Sequence, residues 1–217
     1  MLLKEITQPQ EVPIAFLARK LVGKQSFAQI KKIIAGAMPN YNVDLVKVDL
    51  PSGEGTISAW YEPEDDEDEQ TSINIELQFS KADDSFTWDK QSRTGFLRRL
   101  ASTIKHELIH QRQYRNRDFI EPPEGRDQRD PNYEYMSRTD EIEAYAMNIA
   151  DELALKAGKA GALQLLKMAG KTATFKDKMG NLLSPDLFAY MAMWNFDTTN
   201  PVLKRLLKKI YAYLMQK

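Results

Sequence analysis

Cysteine is absent from the 217-residue chain, which excludes disulfides and thiolate metal sites. It does not decide the compartment, since a cysteine-free chain persists anywhere. No run approaches the ~18 apolar residues that a membrane-spanning helix requires. Met1-Leu2-Leu3-Lys4-Glu5-Ile6 lacks the apolar core of a signal peptide, so a soluble protein, cytoplasmic or otherwise, is expected. Charge of either sign is not in excess: 30 Lys and Arg face 31 Asp and Glu, a net −1. No global field therefore argues for nucleic acid or an anionic membrane as a partner. Arg112, Arg115, Arg117, Arg126 and Arg129 form a basic stretch, but Asp118, Glu121, Glu124 and Asp127 among them cancel most of its field. There are no internal repeats. Hydrophobic content of 42% suffices for a core.

Histidine is nearly absent too, and that scarcity is informative. The only two are His106 and His110, in the string His106-Glu107-Leu108-Ile109-His110. This is an H-E-x-x-H motif, the helical signature of zinc metalloproteases. Residues i and i+4 lie on one helix face, a turn apart, so two imidazoles can close on one metal ion. Glu107 stands beside them, placed to act as a general base toward water. The spacing of Leu97, Leu100, Ala101, Ile104 and Leu108 predicts a helix over residues 93–114, with the motif beside its apolar stripe.

A catalytic zinc takes three protein ligands and keeps one position open. With no third histidine and no cysteine, the third ligand must be a carboxylate. The metzincin extension fails, because Gln113, Tyr114 and Arg115 follow the motif where Gly and a third His are required. A second predicted helix, over 139–157, offers Glu141 and Glu143 beside an apolar face of Ile142, Tyr145, Ala146, Ile149 and Leu153. The two glutamates are about 200° apart around the axis, so one helix cannot aim both at one ion. Periodicity alone does not choose between them.

HELIH followed by a Glu-bearing helix resembles the gluzincins, the thermolysin-like clan with two His and one Glu. Ser137-Arg138-Thr139-Asp140-Glu141-Ile142-Glu143-Ala144 resembles the S-R-x-x-E-x-x-A-D pattern of CAAX-prenyl and HtpX-type zinc endopeptidases. It also resembles the E-x-E-A string of small soluble gluzincin-like peptidases. The resemblance implies Glu141 as the third zinc ligand. It covers about fifty residues, and Tyr145 departs from it by standing where the pattern has Asp.

Elsewhere, residues 13–21 and 26–37 read as short helices, with Ser26 an N-cap. Residues 41–50 and 56–61 read as strands around a turn at Pro51-Ser52-Gly53-Glu54-Gly55. The acidic run Glu62-Pro63-Glu64-Asp65-Asp66-Glu67-Asp68-Glu69 is expected to stay solvated. Residues 72–79 alternate strictly, which predicts a half-buried strand. A long link over 115–136, rich in Arg, Asp, Pro and Tyr, precedes the second helix. Ser184-Pro185 and Asn200-Pro201 each look like an N-cap followed by Pro at the first helical position.

The expected fold class is α+β. It comprises a minimal zincin-like core over 1–157, with a small, mostly antiparallel sheet, the motif helix and the ligand helix. A helical C-terminal extension over 158–217 would pack on that core.

The expected activity is zinc-dependent hydrolysis of peptide or protein substrates, with His106, His110 and Glu141 on Zn2+ and Glu107 as general base. Tyr133, Tyr135, Arg138 and Tyr145 are candidates to stabilise the oxyanion. The alternative is a non-catalytic assembly protein whose zinc staples two helices. An extended substrate is expected to pair with a free edge of the 72–79 strand.

Overall fold

A computed structural model describes residues 12–169 and 184–216. The signal-peptide reading concerns residues 1–6 and lies outside them. The chain is α+β and divides into two compact units, Met1–Phe119 and Ile120–Lys217.

In the first unit the elements run α1 (Ile14–Lys20), β1 (Gly23–Ser26), α2 (Phe27–Ala37), β2 (Asn42–Val48), β3 (Gly55–Tyr61), α3 (Pro63–Glu67), β4 (Ile73–Ser80), β5 (Ser85–Trp88) and α4 (Lys90–Arg115). The alternating segment is β4, and its apolar residues Ile73, Ile75, Leu77 and Phe79 are buried. They meet Leu17, Ile30 and Ile34 from α1 and α2 and Leu97, Leu100 and Ile104 from α4 in one core. Each such side chain contributes about 1.5–3 kcal/mol through burial. Phe27 stacks on Phe79 at 4.6 Å within it.

The sheet corrects one expectation. Its order is β2-β4-β3, with β2 parallel to β4 and β3 antiparallel. β4 is thus the central strand, hydrogen-bonded on both sides, and no edge of it is available to an extended substrate. Residues 72–79 therefore offer no free edge for strand-pairing with a peptide, contrary to expectation.

Two further features depart from the predicted layout. Gly23–Ser26 pairs antiparallel with Ser85–Trp88 as a two-stranded ribbon, where a break and a capping serine were expected. Ser26 still caps α2, in a reciprocal box with Gln29. The acidic run is not wholly solvated. Residues Pro63–Glu67 form α3, and Asp66 is buried while Glu64 and Glu67 are exposed. Its carboxylate accepts from Arg115 Nε and Nη2 at 2.8 and 2.6 Å, from Tyr61 Oη at 2.9 Å and from Gln111 Nε2 at 3.0 Å. A buried carboxylate persists only when paired in this way.

The second unit holds α5 (Pro131–Ser137), α6 (Thr139–Met168), α7 (Pro185–Met193) and α8 (Pro201–Gln216). α6 breaks at Gly158, whose φ of 67° suits glycine and ends the helix predicted over 139–157. Ser184 Oγ caps α7 by accepting from Leu187 N at 3.2 Å, and Asn200 Oδ1 accepts from Val202 N at 2.9 Å. The amphipathic C-terminal helix is core-docked: Leu203, Leu206, Ile210 and Leu214 are buried with Ile142, Ile149 and Leu153 of α6.

The predicted link is partly helical, since Asp130 caps α5 through the N–H groups of Asn132 and Tyr133. Before it, Gly125 N donates to Glu134 Oε1 at 2.6 Å. A Cβ on Gly125 would collide with the Glu134 carbonyl and lie 2.5 Å from Ser137 Oγ. Gly125→Ala is therefore expected to destabilise the second unit by about 1–3 kcal/mol, as overpacking does. Denaturant unfolding followed by the circular dichroism signal of the largely helical second unit measures it, and an unchanged midpoint would remove the close approach.

Candidate metal centre

The motif is carried by the C-terminal half of α4. That helix starts at a reciprocal cap, with Ser92 N donating to Asp89 Oδ1 at 2.7 Å and Asp89 N donating to Ser92 Oγ at 3.0 Å. Leu97, Leu100 and Ile104 anchor its apolar side in the first unit's core, which fixes its rotation. His106 and Glu107 are then buried, each 8% exposed, and His110 is half-buried. The imidazole rings stand 4.8 Å apart, centroid to centroid, at 71°.

Glu141 lies in the first turn of α6 and is buried, 6% exposed. One ligand atom from each of His106, His110 and Glu141 lies within 4.8 Å of the other two. The three form a cluster that can bind a metal ion. Its donor set, two imidazole nitrogens and one carboxylate oxygen, suits a first-row divalent metal. Glu107, though buried beside both histidines in sequence, is not a member of this cluster.

Glu143 is placed differently. Its Oε1 accepts from Tyr213 Oη at 2.9 Å and its Oε2 pairs with Lys209 Nζ at 3.4 Å, both on α8. Of the two glutamates, Glu141 is the one in the cluster, while Glu143 is engaged by partners far along the chain.

One contributor escaped the sequence reading. Gln113, 8% exposed, sets Oε1 3.0 Å from His110 Nδ1. An amide oxygen only accepts, so this contact matches the Nδ1–H tautomer, which leaves Nε2 for an ion. Fixing the tautomer in this way is the usual task of a group behind a ligating histidine. The i, i+3 spacing of His110 and Gln113 was the available signal.

Each of the four oxyanion candidates has other contacts. Tyr133 Oη donates to the Met193 carbonyl at 3.0 Å, and Arg138 Nε donates to Glu134 at 2.9 Å. Tyr135 is 41% exposed, and Tyr145 packs edge-on against Tyr190 at 5.2 Å.

A pocket of about 380 Å3 lies elsewhere in the first unit, lined by Ile57, Phe79, Phe86, Phe96 and Arg99. It meets α4 roughly two helical turns before His106 and so is not the metal cluster. Among the described residues no helix is long and apolar enough to cross a membrane. No protein-family model, curated protein or solved structure matches this chain.

Proposed function

We propose that the chain is a zinc-dependent metallopeptidase of gluzincin type, acting on peptide or protein substrates. The observation that carries this reading is the cluster of His106, His110 and Glu141, with Glu107 buried next to the first histidine. Three protein donors of this kind leave a coordination position open, which distinguishes a catalytic site from a closed structural one. The HELIH string and the downstream glutamate supply the same donors as the resemblance to the gluzincins implies.

His106, His110 and Glu141 would hold the ion, with Gln113 orienting His110. A zinc ion there supplies Lewis acidity, lowering the pKa of water toward ~7 and polarising a carbonyl. Glu107 takes the proton of the attacking water and later delivers it to the departing amine nitrogen. Its burial keeps competing solvent away from the carboxylate and strengthens its electrostatic interactions.

Elemental analysis of protein refolded with zinc tests the proposal, combined with hydrolysis of a peptide library. One zinc per chain is expected, lost in His106→Ala. Zinc affinity should fall far more in Glu141→Ala than in Glu143→Ala, because the second carboxylate is occupied by Tyr213 and Lys209. Absence of stoichiometric metal, or the opposite ranking of the two glutamates, would overturn the ligand assignment. Metal without hydrolysis of any library member would favour a zinc-stapled assembly protein.

A further inference from the structure

Tyr190 on α7 is fully buried, and its hydroxyl makes no hydrogen bond among the described residues. Such a group is uncommon in a folded protein and calls for a physical explanation. The ring cannot easily turn away to find water. It is held edge-on against Tyr145 at 5.2 Å and stacked on Trp194 at 5.8 Å, 22°.

Its surroundings point to an acceptor. Tyr145 follows Glu141 by one helical turn on α6, so the two side chains share a face. A phenol packed on Tyr145 is thereby brought to the side of α6 that carries Glu141. Burial pushes the phenol well above its ordinary range, and the charge of Glu141 adds to it.

We propose that Tyr190 is a positioning residue for the metal centre, its hydroxyl donating to the Glu141 carboxylate when that carboxylate ligates an ion. A monodentate carboxylate uses one oxygen on the metal and leaves the other to be held by a donor. Groups that orient ligands in this way typically govern metal affinity by 10–100-fold. The proposal rests on the metallopeptidase reading for the ion but not for its chemistry.

Tyr190→Phe is the decisive variant, because it removes only the hydroxyl and keeps the packing. Two measurements on the full chain are needed: the melting temperature without metal, and zinc affinity by competition with a chelator. Without metal the variant should melt at or above the wild type, since an unsatisfied buried donor has been removed. Its zinc affinity should fall by about tenfold or more. A hydroxyl satisfied by buried water gives the opposite pair, a lower metal-free melting temperature with unchanged affinity, and that result would overturn the proposal. Equal zinc affinity in the two proteins would do the same whatever the melting temperatures. Failure of the wild type itself to bind zinc would remove the metal centre and this inference together, so the two failures are told apart by the wild-type control.

Discussion

Glu107→Gln protein should bind zinc as tightly as the wild type and hydrolyse peptides about 10²–10⁴-fold more slowly. The substitution is nearly isosteric, so a side chain that is 8% exposed can be replaced without opening a cavity. Glutamine retains a carbonyl oxygen but cannot take a proton from water near neutral pH. Because Glu107 is outside the His106, His110, Glu141 cluster, removing its charge leaves the donor set intact. Metal content and turnover must be measured on the same preparation. Loss of zinc together with activity would show that Glu107 supports the ion directly, and retention of full activity would exclude it as the base.

Asp66→Ala is expected to destabilise the first unit by about 3 kcal/mol. The side chain of Asp66 is only 3% exposed and forms a two-point pair with Arg115. Breaking a buried pair typically costs about 3–5 kcal/mol. Arg115 is itself 49% exposed and can rehydrate, which places the effect at the low end. Tyr61 Oη and Gln111 Nε2 lose their acceptor as well.

The stability also acquires a pH signature. Burial raises the Asp66 pKa, but hydrogen bonds from Arg115, Tyr61 and Gln111 and the Arg115 charge outweigh it and hold the carboxyl below its usual value. A carboxyl whose folded pKa lies below its unfolded value, about 3.9, contributes fully above that pH. The contribution disappears as pH falls through the lowered folded value. Urea unfolding of both proteins should therefore show a gap at pH 7 that narrows only in strong acid. A gap unchanged between pH 7 and pH 2 would mean the loss is one of packing and not of charge. Gln111 and Arg115 follow His110 on α4, so the same network also braces the end of the helix that carries the histidines.

The contrast between β4 and Asp66 shows what the sequence carries. Strict alternation specifies both the existence of β4 and which face is buried, because a one-residue slip would turn every apolar side chain outward. It says nothing of the neighbours, and β4 turned out central with a parallel partner in β2. The ribbon of β1 and β5 was missed because Gly23-Lys24-Gln25-Ser26 has no apolar pattern, and its pairing is with residues far along the chain. Asp66 sits in a run of acids that composition alone assigns to solvent, while its main partner is 49 residues away. At the centre, HELIH identified the histidines because i, i+4 geometry is local. Periodicity left Glu141 and Glu143 open and only the resemblance favoured Glu141; that α8 returns to engage Glu143 has no local signal. Tyr190 gave no local signal at all.

The two imidazoles also make the protein its own spectroscopic probe. They are the only histidines in the chain, and their rings are in contact at 4.8 Å. Every imidazole C–H resonance in a proton spectrum therefore originates from this one place, without background from elsewhere. A metal series followed on these resonances therefore reports on two neighbouring groups alone. Histidine-directed chemical modification inherits the same selectivity, needing no engineered label to find the motif helix.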